Sequence, residues 1–279
     1  MQPNYREILT RHGFTFSKAK GQNFIVNPGV CPRMAALCGA TKECGVLEIG
    51  PGAGALTRAL SGVAGKVVAV ELDERLLPVL DETLSGLDNV IVVQGDIMQI
   101  DLQALLEEQF GDMPVHMCAN LPYYITSPIL MRMLESKLPF MSITVMAQKE
   151  AAERLCAPMG TRACGAVTAA VAYYAEAKQL FSVSRGSFFP APKVDSAVLQ
   201  LILRRKPPVV VADEAFFFRV IRAAFGQRRK TAANAISAGL GIEKSAVLEA
   251  MARAGIAPET RAENLTLEDY AGLAGELMP

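Results

Sequence analysis

The chain has 279 residues, 51% of them hydrophobic, with 28 basic and 28 acidic side chains and a pI near 6.8. No run of about 20 apolar residues occurs, which argues against a membrane span, and the N-terminus Met1–Arg6 lacks the apolar core of a signal peptide. Six cysteines, at 31, 38, 44, 118, 156 and 164, form no C-x-x-C pair; reduced thiols in a cytoplasmic protein are expected, and no metal site.

The neutral total hides an uneven distribution. Residues 185–230 hold ten Lys/Arg against three Asp/Glu, and residues 1–30 hold four against one, while the rest of the chain is net acidic. A basic patch on an acidic body suits a polyanionic partner with a defined footprint.

In chain order, Asn27-Pro28 reads as a helix cap followed by proline at the first helical position, with the helix running to about Cys38. Gly45–Ile49, Lys66–Val70, Asn89–Gln94, Val115–Ala119 and Ser142–Met146 read as strands. Helical segments such as Leu76–Leu84 and Leu102–Gln109 separate them, which argues a doubly wound, mostly parallel sheet. Later strands near Gln179–Val183 and Ser196–Leu203 should pair as a hairpin at the sheet's edge. Arg204-Arg205-Lys206-Pro207-Pro208 reads as a linker, followed by helices over Glu214–Phe225, Lys230–Gly239, Ser245–Ala254 and Leu267–Leu277.

The first strand ends in Glu48-Ile49-Gly50-Pro51-Gly52-Ala53-Gly54, and a helix begins at Ala55. Glycines let the backbone turn sharply and approach a ligand, and the helix N-terminus behind them favours an anionic group. A nicotinamide dinucleotide fold would need a third glycine at position 57, which is Thr57; the G-x-G-x-G spacing suits S-adenosylmethionine better. Glu71 ends the second strand, where a carboxylate can accept from ribose hydroxyls. Asp96, after the third strand, can accept from an adenine amine.

Asn120-Leu121-Pro122-Tyr123 leaves the fourth strand with a side-chain amide, backbone carbonyls and an aromatic ring. Asn120 Oδ1 can accept from an exocyclic amine, and Tyr123 offers a face for a base taken out of its stack. These features suit gripping the amino group of an extruded adenine. The only histidines are His12 and His116, and His116 reads as a packed strand residue. A DNA adenine-N6 methyltransferase would share these features, but only about 75 residues follow the linker, little space for a reader of DNA sequence.

With these motifs in place the chain resembles the small-subunit ribosomal RNA adenine N6,N6-dimethyltransferases, the RsmA/KsgA group, nearly end to end. The resemblance is carried by Gly21–Ile25, Glu48–Gly54, Asn120–Tyr123, Gln148–Glu150, Phe188–Ser196, Phe225–Thr231 and Arg261–Leu265. It implies a Rossmann-like class I methyltransferase domain with a seven-stranded sheet over residues 1–205 and a small all-α, RNA- or ribosome-binding domain over 206–279. It implies S-adenosylmethionine as cofactor, with Gln22, Asn23, Ile25, Gly50, Gly52, Glu71, Asp96 and Asn120 around it. The catalytic set would be Asn120, Leu121, Pro122, Tyr123 and Phe188, the two aromatic rings holding the target adenine. Arg228, Arg229 and Lys230 would contact RNA phosphates. The expected partner is the small ribosomal subunit with its rRNA, and the expected state is a monomer.

Overall fold

A computed structural model describes residues 3–15 and 23–278. The elements begin with α1 (Tyr5–Arg11), β1 (Phe24–Ile25), α2 (Val30–Leu37), β2 (Gly45–Ile49), α3 (Ala55–Val63) and β3 (Lys66–Glu71). They continue with α4 (Leu77–Thr83), β4 (Val90–Gln94), α5 (Leu102–Phe110), β5 (Val115–Asn120), α6 (Thr126–Glu135) and β6 (Phe140–Gln148). The remainder are α7 (Lys149–Leu155), α8 (Ala166–Tyr174), β7 (Ala175–Val183), β8 (Phe188–Phe189), β9 (Ser196–Leu203), α9 (Glu214–Phe225), α10 (Ala232–Leu240), α11 (Lys244–Arg253) and α12 (Leu267–Leu277). None of the described helices is long and apolar enough to cross a membrane.

The chain divides into two compact units. The first comprises residues 1–152 and 178–203; the second comprises 153–177 and 204–279. The sequence suggests a linear division at 205/206, with no excursion of 153–177 into the second unit. The reason is visible within that unit: Tyr173 and Tyr174 of α8 pack against Phe217 and Phe218 of α9, with ring centroids 5.2 to 5.4 Å apart. Both phenol hydroxyls donate to Glu214, at 3.4 and 2.7 Å.

The first unit is built on a seven-stranded sheet of order β4-β3-β2-β5-β6-β9-β7. Strands β4, β3, β2, β5 and β6 run parallel, and β9 is antiparallel to β6. The doubly wound, mostly parallel architecture is as expected, and β7 and β9 are neighbours at the edge. Strand β2 is buried along its whole length, and β3 and β5 along nearly all of theirs, because helices cover both faces of the sheet. The chain moves from β2 outward to β3 and β4, then crosses back to place β5 on the other side of β2. That reversal is a topological switch point, where ligands enter open α/β sheets.

One cap differs from expectation. Helix α2 starts at Val30 behind Gly29, not at Pro28. The Asn27 Oδ1 accepts from the Gly29 N–H at 3.0 Å, closing a turn ahead of the helix, and its amide donates to Ser187 Oγ at 3.2 Å. The other end of α2 is fixed by a buried network. Ser142 Oγ and the Gln200 amide both donate to the Cys38 carbonyl, at 2.9 and 3.2 Å, and His116 Nδ1 lies 2.8 Å from Ser142 Oγ. His116 is thus a packed strand residue, its pKa lowered by burial.

Candidate active site

The loops at the carboxyl ends of β2, β3, β4 and β5 enclose a cavity of about 1210 Å3, including its open mouth. After β2 the chain turns through Gly50, Gly52 and Gly54, each at positive φ (68°, 60° and 87°). At Gly54 the turn is packed shut, since a Cβ would come within 2.8 Å of Thr83 Oγ1. At Gly50 the opposite holds: a Cβ would meet nothing within 4 Å. Gly50 therefore presents bare backbone to the cavity it lines.

Three acids stand around this loop. Glu71 Oε2 accepts from the Gly52 N–H at 3.2 Å and Oε1 from the Asp73 N–H at 2.8 Å, so the carboxylate braces the loop and keeps lone pairs for a ligand. Burial raises its pKa. Asp96 accepts from the Met98 N–H at 2.8 Å and from the Gln99 amide at 3.2 Å. Arg132 of α6 donates to the Met98 and Ile100 carbonyls, which anchors the turn that carries Asp96. Glu48 is the third: it is 1% exposed, its Oε2 has no hydrogen-bond partner among the described residues, and burial pushes its pKa up to about 8.

Opposite the glycine loop, Asn120 ends β5. Its Nδ2 donates to the Asn23 carbonyl at 3.3 Å, which fixes the amide's orientation and leaves Oδ1 as an acceptor with no described partner. The two carbonyls that follow are not equivalent. Pro122 O already accepts from the Ile125 N–H and from Thr126 Oγ1, both at 3.1 Å, whereas no described donor reaches Leu121 O. A primary amine entering beside Asn120 would find Oδ1 and Leu121 O as its two acceptors. The Tyr123 hydroxyl lies 2.8 Å from Ser196 Oγ, and Tyr124 beside it is 63% exposed at the cavity wall.

The structure thus brings together Asn23, Ile25, Gly50, Gly52, Glu71, Asp96, Asn120, Leu121, Pro122 and Tyr123 on one cavity. Phe188 is not among its walls. Strand β8 pairs antiparallel with β1, in a register that sets Ile25 opposite Phe188 and Phe24 opposite Phe189. Phe188 is 3% exposed and joins the core cluster of Ile25, Met34 and Val183, while the outer Phe189 ring carries the Arg6 guanidinium 4.3 Å above it. In this arrangement Phe188 has no face open to a base. Gln22 lies outside the described residues. In the second unit Arg228, Arg229 and Lys230 are all exposed between α9 and α10.

Sequence reasoning missed Ser196 as the partner of Tyr123, Arg132 as the anchor of the Asp96 turn, and the exposed Tyr124. It also passed over Glu48 as more than part of a motif. A buried acid directly before the glycine loop was the available signal for that last residue.

A family model described as ribosomal RNA adenine dimethylase matches residues 13–278. The chain is 46% identical over 278 residues to the ribosomal RNA small subunit methyltransferase A of Geobacillus thermodenitrificans, covering 98% of this chain and 95% of that protein. It is 45% identical over 276 residues to the protein of the same description in Streptococcus thermophilus, with 98% and 95% covered. Among solved structures, a dimethyladenosine transferase from Plasmodium falciparum superposes with a TM-score of 0.71 at 25% identity, over 90% of this chain and 95% of that one. The 23S rRNA methyltransferase ErmE superposes with a TM-score of 0.68 at 27% identity, over 92% and 100%.

Proposed function

The chain belongs to the ribosomal RNA adenine dimethylase family, and from that premise we propose that it dimethylates N6 of two adjacent adenines in small-subunit rRNA, using S-adenosylmethionine, during ribosome biogenesis. The observation that supports the site assignment is the adjacency of Asn120 Oδ1 and the Leu121 carbonyl, two acceptors without donors among the described residues, on the wall of a glycine-lined cavity.

The residues present fit the cofactor. Gly50 leaves the cavity open where any side chain would intrude, and Glu48 Oε2 is a buried acceptor awaiting a cationic group such as a methionine ammonium. Glu71 would take the ribose hydroxyls and Asp96 the adenine amine, with Asn23, Ile25, Gly52 and Gln22 around them. S-adenosylmethionine supplies an electrophilic methyl group on a sulfonium.

An adenine N6 lone pair is delocalised into the ring and is a poor nucleophile. Asn120 Oδ1 and Leu121 O would each accept one N–H of the amine, drawing the nitrogen towards a pyramidal geometry with its lone pair aimed at the methyl. Pro122 fixes the turn rather than binding the amine, since its carbonyl is already shared by two donors. Tyr123 would stack on the base, worth about 1–3 kcal/mol. Positioning of this kind needs no general base. Once one methyl is in place a single N–H remains, so the second transfer keeps one of the two acceptors engaged. Phe188 would need to leave its packed position to reach the base, and its role is the less supported of the two rings.

Arg228, Arg229 and Lys230 would hold RNA phosphates without reading sequence. A monomeric, cytoplasmic enzyme acting on the small subunit completes this reading.

The test is transfer of tritiated methyl from S-adenosylmethionine to undermethylated small subunits, with large subunits and duplex DNA alongside. Label recovered as N6,N6-dimethyladenosine in small-subunit RNA alone is expected. Label confined to large-subunit RNA or DNA would overturn the substrate while leaving the amine grip standing.

A further inference from the structure

Among the described residues, Leu72 and Tyr124 are the large hydrophobic side chains that are both exposed and on the wall of the cavity. Leu72 follows Glu71 at the end of β3, on the side assigned to the cofactor's ribose. Tyr124 follows Tyr123, on the side of the proposed amine grip, and takes no part in gripping the amine.

The two tyrosines are the central pair of a turn. The Ile125 N–H donates to the Pro122 carbonyl at 3.1 Å, and Thr126 Oγ1, on the first residue of α6, donates to the same oxygen. The backbone at Tyr124 is thus tied to the start of a helix. The side chains part from it in opposite senses. Tyr123 is half-buried with its hydroxyl 2.8 Å from Ser196 Oγ, whereas Tyr124 is 63% exposed. Tyr124 makes no hydrogen bond, ring pair or cation–π contact with any described residue.

A lone exposed ring on an ordinary surface needs no explanation. This one adjoins the ring proposed to hold the target base, on a backbone that cannot shift without breaking the turn. Pulling a base out of its stack also strips a stacking partner from the nucleotide next to it, which is part of the cost of extrusion. An aromatic ring at the rim can replace that partner, because every base presents a π-face to it. Of the aromatic side chains lining the cavity, Phe24 is buried and Tyr123 is taken by the target, which leaves the Tyr124 ring for the neighbour.

We propose that Tyr124 is the stacking platform for the nucleotide next to the target adenine, so that the Pro122–Ile125 turn holds two bases, one on each tyrosine. This rests on the rRNA-methylating reading above and deepens it. The platform reads a face and no hydrogen-bond pattern, so it favours the broad face of a purine, which a second adenine beside the target supplies. Its work is placement of the strand, not methyl transfer.

The test uses the full-length protein and small subunits reconstituted with rRNA ligated from synthetic segments. The target adenine is first mapped by the tritium assay, and an abasic nucleotide is then placed singly on its 5′ or its 3′ side. Tyr124→Ala should raise the KM for unmodified subunits about 5- to 100-fold, the range of one base stacked on an aromatic ring, with the loss in KM rather than kcat and the S-adenosylmethionine Kd unchanged. An abasic nucleotide on one of the two sides should do the same to the unaltered chain and add little to Tyr124→Ala, because both changes remove one contact. Tyr124→Phe, which keeps the face, should stay within about twofold of the unaltered chain. Tyr124→Leu, which keeps apolar bulk without the π-face, should behave as Tyr124→Ala and repeats the cycle should the alanine variant melt early. Losses that multiply at both abasic positions would overturn the platform. So would a Tyr124→Phe defect as large as that of Tyr124→Ala, or a fall in cofactor affinity that accounts for the whole loss. Each of those results leaves the enzymatic reading intact as long as the unaltered chain methylates unmodified subunits. Failure of the unaltered chain to methylate them would overturn that reading itself.

Discussion

The Tyr123 hydroxyl sits 2.8 Å from the hydroxyl of Ser196, a residue with no solvent exposure at the start of β9. Ser196 is in register with Gln148 of β6, so the ring proposed to hold the base is pinned from a strand two removed from its own. A phenol tethered in this way cannot swing out of the cavity without leaving a buried hydroxyl unpaired. Ser196→Ala should therefore raise the KM for rRNA severalfold, leave the S-adenosylmethionine Kd unchanged, and cost about 1 kcal/mol of stability. Steady-state kinetics alongside calorimetric titration of the cofactor would separate these effects. A loss of cofactor affinity equal to the loss of rRNA affinity would show that Ser196 supports the whole cavity instead.

In the proposed site Asn120 would contribute one of the two amine acceptors, and its Nδ2 donates to the Asn23 carbonyl. Asn120→Ala should lower kcat by about 100- to 1000-fold, the scale found when a hydrogen-bonding group aligned on the reacting centre is removed. Its melting temperature should stay near that of the unaltered chain, because the residue lies at the end of its strand. Single-turnover methyl transfer measures the first effect; near-normal turnover would sink the amine-gripping role.

Glu48 gives a pH signature with a defined sign. Its carboxyl rises from an ordinary 4.5 to about 8 in the folded chain because of burial. The folded state therefore holds this proton across a window in which the unfolded state has lost it, so stability falls as pH rises from about 4.5 to about 8. Glu71 is raised too and acts in the same direction, whereas His116, lowered by burial, acts in the opposite one. The difference between the unaltered chain and Glu48→Gln isolates the one group. Melting temperatures measured from pH 5 to pH 8.5 should decline less steeply in the variant, and the variant should bind S-adenosylmethionine more weakly. Parallel melting curves would show that Glu48 keeps an ordinary pKa.

Ser142 is the hub of the network behind the sheet, donating to the Cys38 carbonyl and facing His116. Ser142→Ala strands the buried His116 Nδ1 and leaves the Cys38 carbonyl to the Gln200 amide alone, and should cost about 1–3 kcal/mol, read by urea denaturation, with kcat unchanged. A neutral result would mean that Gln200, which also reaches the Cys38 carbonyl, suffices alone.

Much of this molecule is legible in its sequence. Apolar runs place the parallel strands to within a residue or two, and for β2, β3 and β5 this is because strands buried on both faces admit little else. Helices α9 and α12 fall on the expected residues. Asp213 and Thr266, which cap them, accept from backbone N–H groups of the first turn and fix where they start. Other features depend on contacts distant in sequence. Asn27 could cap a helix or close a turn, and its partners Gly29 and Ser187 decide for the turn. In a two-residue strand either Phe188 or Phe189 can face inward, and only the pairing with β1 settles it. The choice between the Leu121 and Pro122 carbonyls rests on Thr126 and Ile125, whose positions follow from the start of α6. The excursion of 153–177 into the second unit hinges on Glu214 receiving two tyrosine hydroxyls, a pairing across forty residues of chain.

The pairing of β2 with β5 has one more implication. Glu48 stands beside Cys118 in that ladder, two residues before Asn120 on the neighbouring strand. The span from the glycine loop to the proposed amine grip is therefore gauged by a rung of backbone hydrogen bonds, as on a ruler cut into the interior. On the proposed reading, arrival of RNA would not need to set the distance between Asn120 and the glycine loop, only to deliver a base beside them. Turnover would then be governed by delivery, and the same fixed gap could serve the first methyl and the second.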